Sequence, residues 1–365
     1  MNLQVNLGAR SYEIVIERGC LGKAGEYLNL DRKVLVVTDT GGPAAYVRTV
    51  AGACREAVIC TMEQGEEHKT LQSLEKLLSA MLAAGFSRKD CVAAVGGGIC
   101  GDLAGFAAAS YMRGIDFYNI PTTVLAQVDS SIGGKTAVNL DGIKNVVGAF
   151  HQPRGVLIDT DVLQTLPRRH ISAGLAEALK MAVTFDEDLF RIFEKEDLFA
   201  KEDLSERKDS FEREDLPDMD VMETVIERSL RIKGRVVEED ETEQGLRRAL
   251  NFGHTIGHGI ESLCLDGALY HGECVAIGML PMCSPQIRAR LLPVYEKLHL
   301  PSGCRMDPDR VCEAMMHDKK ADSGEITIVE TDRIGTFRMR RAGAADLRKK
   351  VETVVRRQAV HGGSM

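Results

Sequence analysis

The stretch LNFGHTIGHGIES, residues 250–262, places His254 and His258 four positions apart. Four residues are just over one helical turn, so on a helix both imidazoles share a face. Neutral imidazole is a good divalent-metal ligand. The zinc-protease pattern would need Glu directly after the first His, and Thr255 stands there instead. Three readings stay open: a metal pair with a distant third ligand, one ring with another task, or two core histidines. Arg247 and Asn251 precede the pair. If one helix runs through Gly253 and Gly257, then Arg247, Asn251, His254 and His258 form a single polar stripe, an odd solvent face. Downstream, YHGECVAIGM sets His271 at the head of an apolar helix. Upstream, SAGLAEALKMAV holds Glu177 and Lys180 three apart among small and apolar residues. Burying both charges is costly without partners. The plain explanation is an i,i+3 ion pair. The alternative is a metal on Glu177 with Lys180 facing an anionic substrate. Glu177, His254 and His271 together would make the two-histidine, one-carboxylate set of a catalytic zinc with a position left for substrate.

A second group of residues suits anions. In VGGGICGDLAGF, Gly96, Gly97 and Gly98 follow an apolar strand, and an Ala-rich helix follows Asp102. Glycines let backbone N–H groups approach a pyrophosphate at a helix N-terminus. The spacing is not G-x-G-x-x-G, so a plain strand-to-helix turn competes with a nucleotide site. Asp39 at a strand end, or Glu66 with Lys69 three residues on, could serve a ribose. QVDSSIGGKTAVNLDGIKN gathers Asp129, Lys135, Lys144 and Asn145 in what reads as a glycine-rich loop. Lysines there suit a phosphate or carboxylate, against the alternative of ordinary surface lysines.

The elements that must position these residues follow from periodicity. LQVNLGARSYEIVIERG alternates apolar and polar residues around a turn and predicts a hairpin. RKVLVVTDTG, EAVICTM, DCVAAVGG and GIDFYNIP are apolar strands separated by loops and helical stretches such as LQSLEKLLSAMLAAGF. Strands alternating with helices predict a parallel, Rossmann-like sheet with ligands at its carboxyl ends. After residue 160 the pattern turns helical, with a small hairpin at EITIVETDRIGTFRMR. The charge-crowded residues 186–220 read as a solvated helix face plus a loop. The expected layout is a 1–160 α/β nucleotide-binding domain and a 161–365 mostly helical metal- and substrate-binding domain.

Composition narrows the function. The 365 residues carry 46 basic and 54 acidic side chains, a net charge of −8. No global positive field exists to hold nucleic acid, so an anion site must be local. Trp is absent and aromatics are 5% of the chain, which disfavours stacking platforms for single strands. The ten cysteines form no C-x-x-C pair and no secretory signal precedes them, which predicts free thiols in a reducing cytoplasm. The most apolar window, CVAAVGGGICGDLAGFAAASYM, contains Asp102 and many glycines, so no membrane span is expected.

In order along the chain, GGGICGDLAGFAAASYMRGI, IPTTVLAQVDSSIGGKTAVN, KNVVGAFHQP, GLAEALK, LNFGHTIGHGIE and HGECVAIGM resemble the motifs of the 3-dehydroquinate synthase family. The resemblance covers nearly the whole chain. It implies an NAD-dependent α/β domain and a helical metal domain, with zinc or cobalt as the metal. Their closure would set oxidant and metal on opposite walls. It implies Glu177, His254 and His271 as metal ligands. Asp129, Lys135, Asn145, Lys180, Lys233, Arg247, Asn251, His258, Arg113 and Lys320 would bind substrate, with Lys319 an alternative to Lys320. Asp39, Glu66, Lys69, Gly97, Gly98, Asp102, Thr122, Thr123, Lys144, Thr165 and Leu166 would contact NAD. The implied reaction turns 3-deoxy-D-arabino-heptulosonate 7-phosphate into 3-dehydroquinate and phosphate by transient oxidation, elimination, re-reduction and aldol closure. A homodimer is also implied. His170 stands where the family usually has Glu, which puts one peripheral cofactor-side contact in doubt. Two rivals are a sugar-phosphate cyclase of secondary metabolism, a valiolone or deoxy-inosose synthase, and a metal-dependent alcohol or polyol dehydrogenase. Relatives of the first kind depart from DSSIGGKT, which is intact here.

Overall fold

Apolar runs bounded by polar loops build seven strands: β1 (Asn2–Val5), β2 (Tyr12–Ile16), β3 (Lys33–Asp39), β4 (Glu56–Met62), β5 (Cys91–Gly96), β6 (Asp116–Pro121) and, further on, β9 (Gly155–Ile158). The computed structural model describes residues 1–199, 217–264, 267–317 and 325–357. The sheet order is β1-β2-β9-β6-β5-β3-β4. The β1–β2 pair is the expected antiparallel hairpin, and every other pairing is parallel. All six residues of β5 are buried, as a strand covered on both faces requires. Between the strands lie α1 (Ala24–Tyr27), α2 (Ala44–Gly52), α3 (Leu71–Ala83) and α4 (Gly98–Ser110). Thr70 caps α3 by accepting from the Ser73 N–H. Leu74, Leu77 and Met81 of α3 join Leu103, Ala104 and Ala107 of α4 in the core over β3 and β5.

The presumed loop after Asp129 is different in detail. Lys135–Leu140 (β7) and Ile143–Phe150 (β8) pair as an antiparallel hairpin, so Lys135, Lys144 and Asn145 stand on strands. Gly142 at φ +79° makes the turn that the glycine-rich reading took for a loop.

The chain divides into two compact units, Met1–Pro167 with Met222–Thr242, and Arg168–Val221 with Glu243–Met365. The helical half is therefore not continuous from 161 onward. Nearly all of α7 (Met219–Glu239) packs with the first unit, where Glu223 accepts a hydrogen bond from the Thr160 hydroxyl. The second unit holds α5 (Arg168–Phe185), α6 (Glu187–Lys195), α8 (His254–Glu261), α9 (His271–Met279), α10 (Pro285–Leu298), α11 (Pro308–His317) and α12 (Ala344–Val351). It also holds a short parallel pair, β10 (Cys304–Arg305) with β13 (Val355–Arg356), and the expected hairpin of β11 (Glu325–Glu330) and β12 (Arg338–Gly343). Within the charged 186–220 stretch, α6 is the helix, while 200–216 lie outside the described residues. No described helix is long and apolar enough to cross a membrane. All ten cysteines are free thiols.

Candidate active site

Glycines bring three helices of the second unit into backbone contact. A Cβ at Gly272 would fall on the Ala173 carbonyl oxygen, so α9 meets α5 where only hydrogen fits. A Cβ at Gly278 would fall on the Gly253 carbonyl oxygen, and one at Gly257 would lie 3.0 Å from the Cys274 oxygen. These close approaches set His254 and His271, on α8 and α9, beside Glu177 on α5. Both imidazole Nε2 atoms lie 3.5 Å from Glu177 Oε1, and the Glu177 side chain is fully buried. Lys180, buried one turn on, ion-pairs with Glu177 Oε2. Both the metal-type grouping and the i,i+3 ion pair that the spacing allowed are present.

The other ring nitrogens are held away from Glu177. His254 Nδ1 lies 3.2 Å from the Phe252 carbonyl oxygen, which can only accept. His271 Nδ1 lies 3.1 Å from Glu261 Oε2. Each Nδ1 thus carries a proton and each Nε2 is turned towards Glu177, the arrangement of outer partners that orient metal-ligating histidines. Burial, helped by Lys180 and the neighbouring rings, pushes the His254 pKa well down, so it stays neutral. Burial also disfavours charge on His271. The carboxylates Glu177 and Glu261 override it and raise the pKa to about 10. A buried carboxylate facing two oriented imidazoles fits a divalent cation, which would take the place of that proton. His258 stands close by, its ring 5.2 Å from His254 and 5.8 Å from His271. Nitrogens of the three histidines lie within 4.8 Å of one another, so a three-histidine set overlaps the carboxylate set.

The single polar stripe does not exist as one helix. Leu246–Asn251 is a 3-10 turn, and α8 begins only at His254. Gly253 between them sits at φ +80°, where a Cβ would meet Met279 Cγ at 2.6 Å and the Val275 oxygen at 2.7 Å. Packing against α9 therefore breaks the helix. Arg247 is buried rather than surface-facing. Asn251 is held by Glu243, whose Oε1 accepts from its Nδ2 at 2.6 Å. Glu243 and Glu261 are contacts that sequence reasoning missed. Glu261, on the LNFGHTIGHGIES segment seven residues after His254, was visible in principle. His170 stacks on Tyr270, ring centroids 4.7 Å apart, and burial lowers its pKa. Lys319 and Lys320 lie outside the described residues.

The first unit collects the other predicted residues. Gly97 caps α4 and Gly98 is its first residue, and each packs tightly: a Cβ would lie 3.3 Å from Thr123 Cγ2 or 2.9 Å from Ser130 Oγ. Gly97 makes no side-chain cap hydrogen bond to the start of this 13-residue helix, where N–H groups can meet an anion. Asp39 Oδ2 lies 3.6 Å from where a Gly96 Cβ would be, at the same turn. Thr122 donates its N–H to the Gly96 oxygen, and the Thr123 hydroxyl accepts from the Ala126 N–H. A π-helical turn, Ala126–Ser130, then presents Asp129. Lys233 of α7 donates to the Asp129 carbonyl at 2.5 Å and ion-pairs with its carboxylate. Lys69 Nζ donates to Asp102 Oδ2 and to Asn145 Oδ1, each at 2.5 Å. Burial raises the Asp102 pKa, and Lys69 works against that rise. Thr165 and Leu166 close a 3-10 turn, where the Thr165 hydroxyl lies 3.1 Å from the Tyr46 hydroxyl. Arg113 is not brought to this cluster. It is exposed at the far end of α4, about 20 Å of helix away from Gly98.

A parallel-sheet unit with a glycine turn at a helix start, and a helical unit with an acid–imidazole cluster, define a nucleotide-and-metal enzyme class. Two family models match the chain, 3-dehydroquinate synthase N-terminal over residues 59–173 and 3-dehydroquinate synthase C-terminal over 174–321. The chain belongs to the 3-dehydroquinate synthase family. It is 40% identical over 350 residues to the 3-dehydroquinate synthase of Pelobacter propionicus, covering 91% of this chain and 94% of that one. Among solved structures it is similar to 2-deoxy-scyllo-inosose synthase complexed with carbaglucose-6-phosphate, NAD+ and Co2+ (TM-score 0.83, 26% identity, 97% of this chain and 100% of that one). It is also similar to 2-epi-5-epi-valiolone synthase from Streptomyces hygroscopicus with NAD+ and Zn2+ bound (TM-score 0.82, 28% identity, 94% and 96%). The overlap with these two rivals is in fold. Identity is higher, at 40%, to the dehydroquinate synthases.

Proposed function

We propose that this chain converts 3-deoxy-D-arabino-heptulosonate 7-phosphate to 3-dehydroquinate and phosphate, using NAD that is regenerated in each cycle and a divalent cation, zinc or cobalt. The observation that carries the reading is the buried Glu177 carboxylate facing two oriented imidazoles, with Lys180 beside it. When bound, NAD supplies a transient hydride acceptor and the cation a Lewis acid for a ring alcohol.

In this reading Glu177, His254 and His271 hold the cation. His258, more exposed than His254, is left to hydrogen-bond substrate and handle a proton. Lys180, Arg247 and Asn251 receive the anionic and hydroxyl groups of the sugar phosphate, and Glu243 fixes the Asn251 amide. Asp129, Lys135, Asn145 and Lys233 serve the substrate from the first unit, with Lys320 added by family resemblance; Arg113, at the far end of α4, is not assigned to this site. Asp39, Glu66, Lys69, Gly97, Gly98, Asp102, Thr122, Thr123, Lys144, Thr165 and Leu166 serve the cofactor. Asp129 pairs with Lys233, so each can orient a hydroxyl without a free buried charge. A homodimer in the cytoplasm completes the reading.

Turnover of three sugar phosphates tests it. Heptulosonate 7-phosphate should release inorganic phosphate, while sedoheptulose 7-phosphate and glucose 6-phosphate should not. Turnover of either of the latter in preference would move the chain to the valiolone or inosose synthases. Net NADH accumulation matching substrate consumed would indicate a dehydrogenase.

A further inference from the structure

The β7–β8 ladder contains an irregularity at the site. Val138 pairs with Val147 and Leu140 with Ile143, so Lys144, Asn145 and Val146 together face only Asn139. Bulges of this kind re-aim side chains and are common beside active sites. Asn145 within it sits at φ +55°, a left-handed conformation that Asn tolerates better than most residues but that still needs support. Asn139 supplies that support. Its Oδ1 accepts from the Asn145 N–H at 2.9 Å. Its Nδ2 donates to Glu66 Oε1 at 2.8 Å and to the Glu66 carbonyl at 3.2 Å. Its backbone N–H donates to the Lys69 carbonyl at 2.8 Å. The amide orientation is fixed, because an N–H on one side demands the oxygen and two acceptors on the other demand the NH2.

We propose that Asn139 is a positioning residue that locks the bulge carrying Lys144 and Asn145 to the Glu66–Lys69 segment, so that one amide sets the cofactor side and the substrate side of the first unit together. The inference rests on the reading of Glu66, Lys69 and Lys144 as cofactor contacts and Asn145 as a substrate contact. Lys69 closes the circuit by donating to Asn145 Oδ1. The half-buried Asn139 reaches neither ligand in this account and works through these neighbours.

Two variants separate its accepting side from its donating side. Asn139→Asp keeps an acceptor for the Asn145 N–H but sets a carboxylate against Glu66. Asn139→Ala removes all three side-chain bonds. NADH binding followed by fluorescence titration, without turnover, should weaken about 10-fold or more in Asn139→Asp, the loss of a hydrogen bond to a charged group. The KM for the sugar phosphate should stay near wild type in that variant. Asn139→Ala should weaken NADH binding and also raise the sugar-phosphate KM about 10-fold. In a Glu66→Gln background, where an amide donor again faces an acceptor, adding Asn139→Asp should cost little further NADH affinity beyond that of Glu66→Gln alone. Wild-type-like binding in Asn139→Asp overturns the proposal. So do losses that merely follow a lowered melting temperature with no split between NADH affinity and substrate KM, and so does a further loss as large in the Glu66→Gln background as in the wild type. Wild-type protein that does not bind NADH overturns the cofactor reading itself and this proposal with it, and that control is measured first.

Discussion

The two units handle buried acids in opposite ways. In the first, three acids of the site have side-chain partners of their own: Asp129 has Lys233, Asp102 has Lys69, and Glu66 has the Asn139 amide. Such pairs are complete as they stand and can shape a pocket for neutral hydroxyls and phosphates. In the second, one buried acid, Glu177, is shared by Lys180 and two imidazoles whose Nε2 atoms converge on it. One of those imidazoles is kept neutral by burial and the other is driven towards the charged form. That is an arrangement completed by a cation, whereas the first is completed by a ligand bringing hydrogen bonds. On the proposed reading, the same residue classes, acids and bases in apolar surroundings, serve cofactor and substrate in the first unit and the cation in the second.

The largest expected break in this comparison is His271→Ala. It should remove metal-dependent phosphate release by about 1,000-fold or more while the protein stays folded, since several kcal/mol of charge stabilisation are lost. A steady-state assay with and without a chelator checks it. Chelation should cost the variant nothing further.

Next in size is Lys233→Ala. Removing the base strands the Asp129 carboxylate, whose side chain is 19% exposed, and should cost about 2–3 kcal/mol of stability. Thermal unfolding measures this, and cation affinity should be unchanged. Gly272→Ala should lower stability too, but with a different effect on the cation. It forces α9 away from Ala173 on α5, with a packing cost of about 1–3 kcal/mol. Cation affinity should fall along with stability, because Glu177 and His271 are carried by those two helices.

The smallest effect sharpens the contrast inside the second unit. Glu330 is buried, yet its hydrogen bonds from Arg340 and Lys350 override the burial and lower its pKa from the ordinary 4.5 to about 2. A depressed folded-state pKa stabilises the protein above the unfolded value, and that stability is lost as pH falls from about 4.5 towards 2. Denaturant unfolding of Glu330→Gln should show about 1–3 kcal/mol less stability at neutral pH and a flatter profile across that acid window.

Much of this layout was legible in the sequence. The parallel sheet follows from apolar runs such as RKVLVVTD, because strands covered on both faces need no alternation. The acid–imidazole cluster was legible as residue types, since Glu177 and Lys180 stand among alanines and leucines. What was not legible depends on packing across distance. Gly253 breaks the polar stripe because α9 lies against it, which local spacing does not reveal. The β7–β8 hairpin passed for a loop because glycines and lysines mask a short ladder held by Asn139 and the Glu66–Lys69 segment. The return of α7 to the first unit rests on partners such as Asp129, 104 positions from Lys233.

The most direct test is cation binding by the metal-stripped protein, titrated with zinc and cobalt, for wild type, Glu177→Gln and Asp129→Asn. The account predicts about one cation per chain in wild type and in Asp129→Asn, with binding lost or weakened about 100-fold in Glu177→Gln. Equal cation binding by wild type and Glu177→Gln, or its loss in Asp129→Asn alone, would contradict the assignment of the metal wall to the second unit.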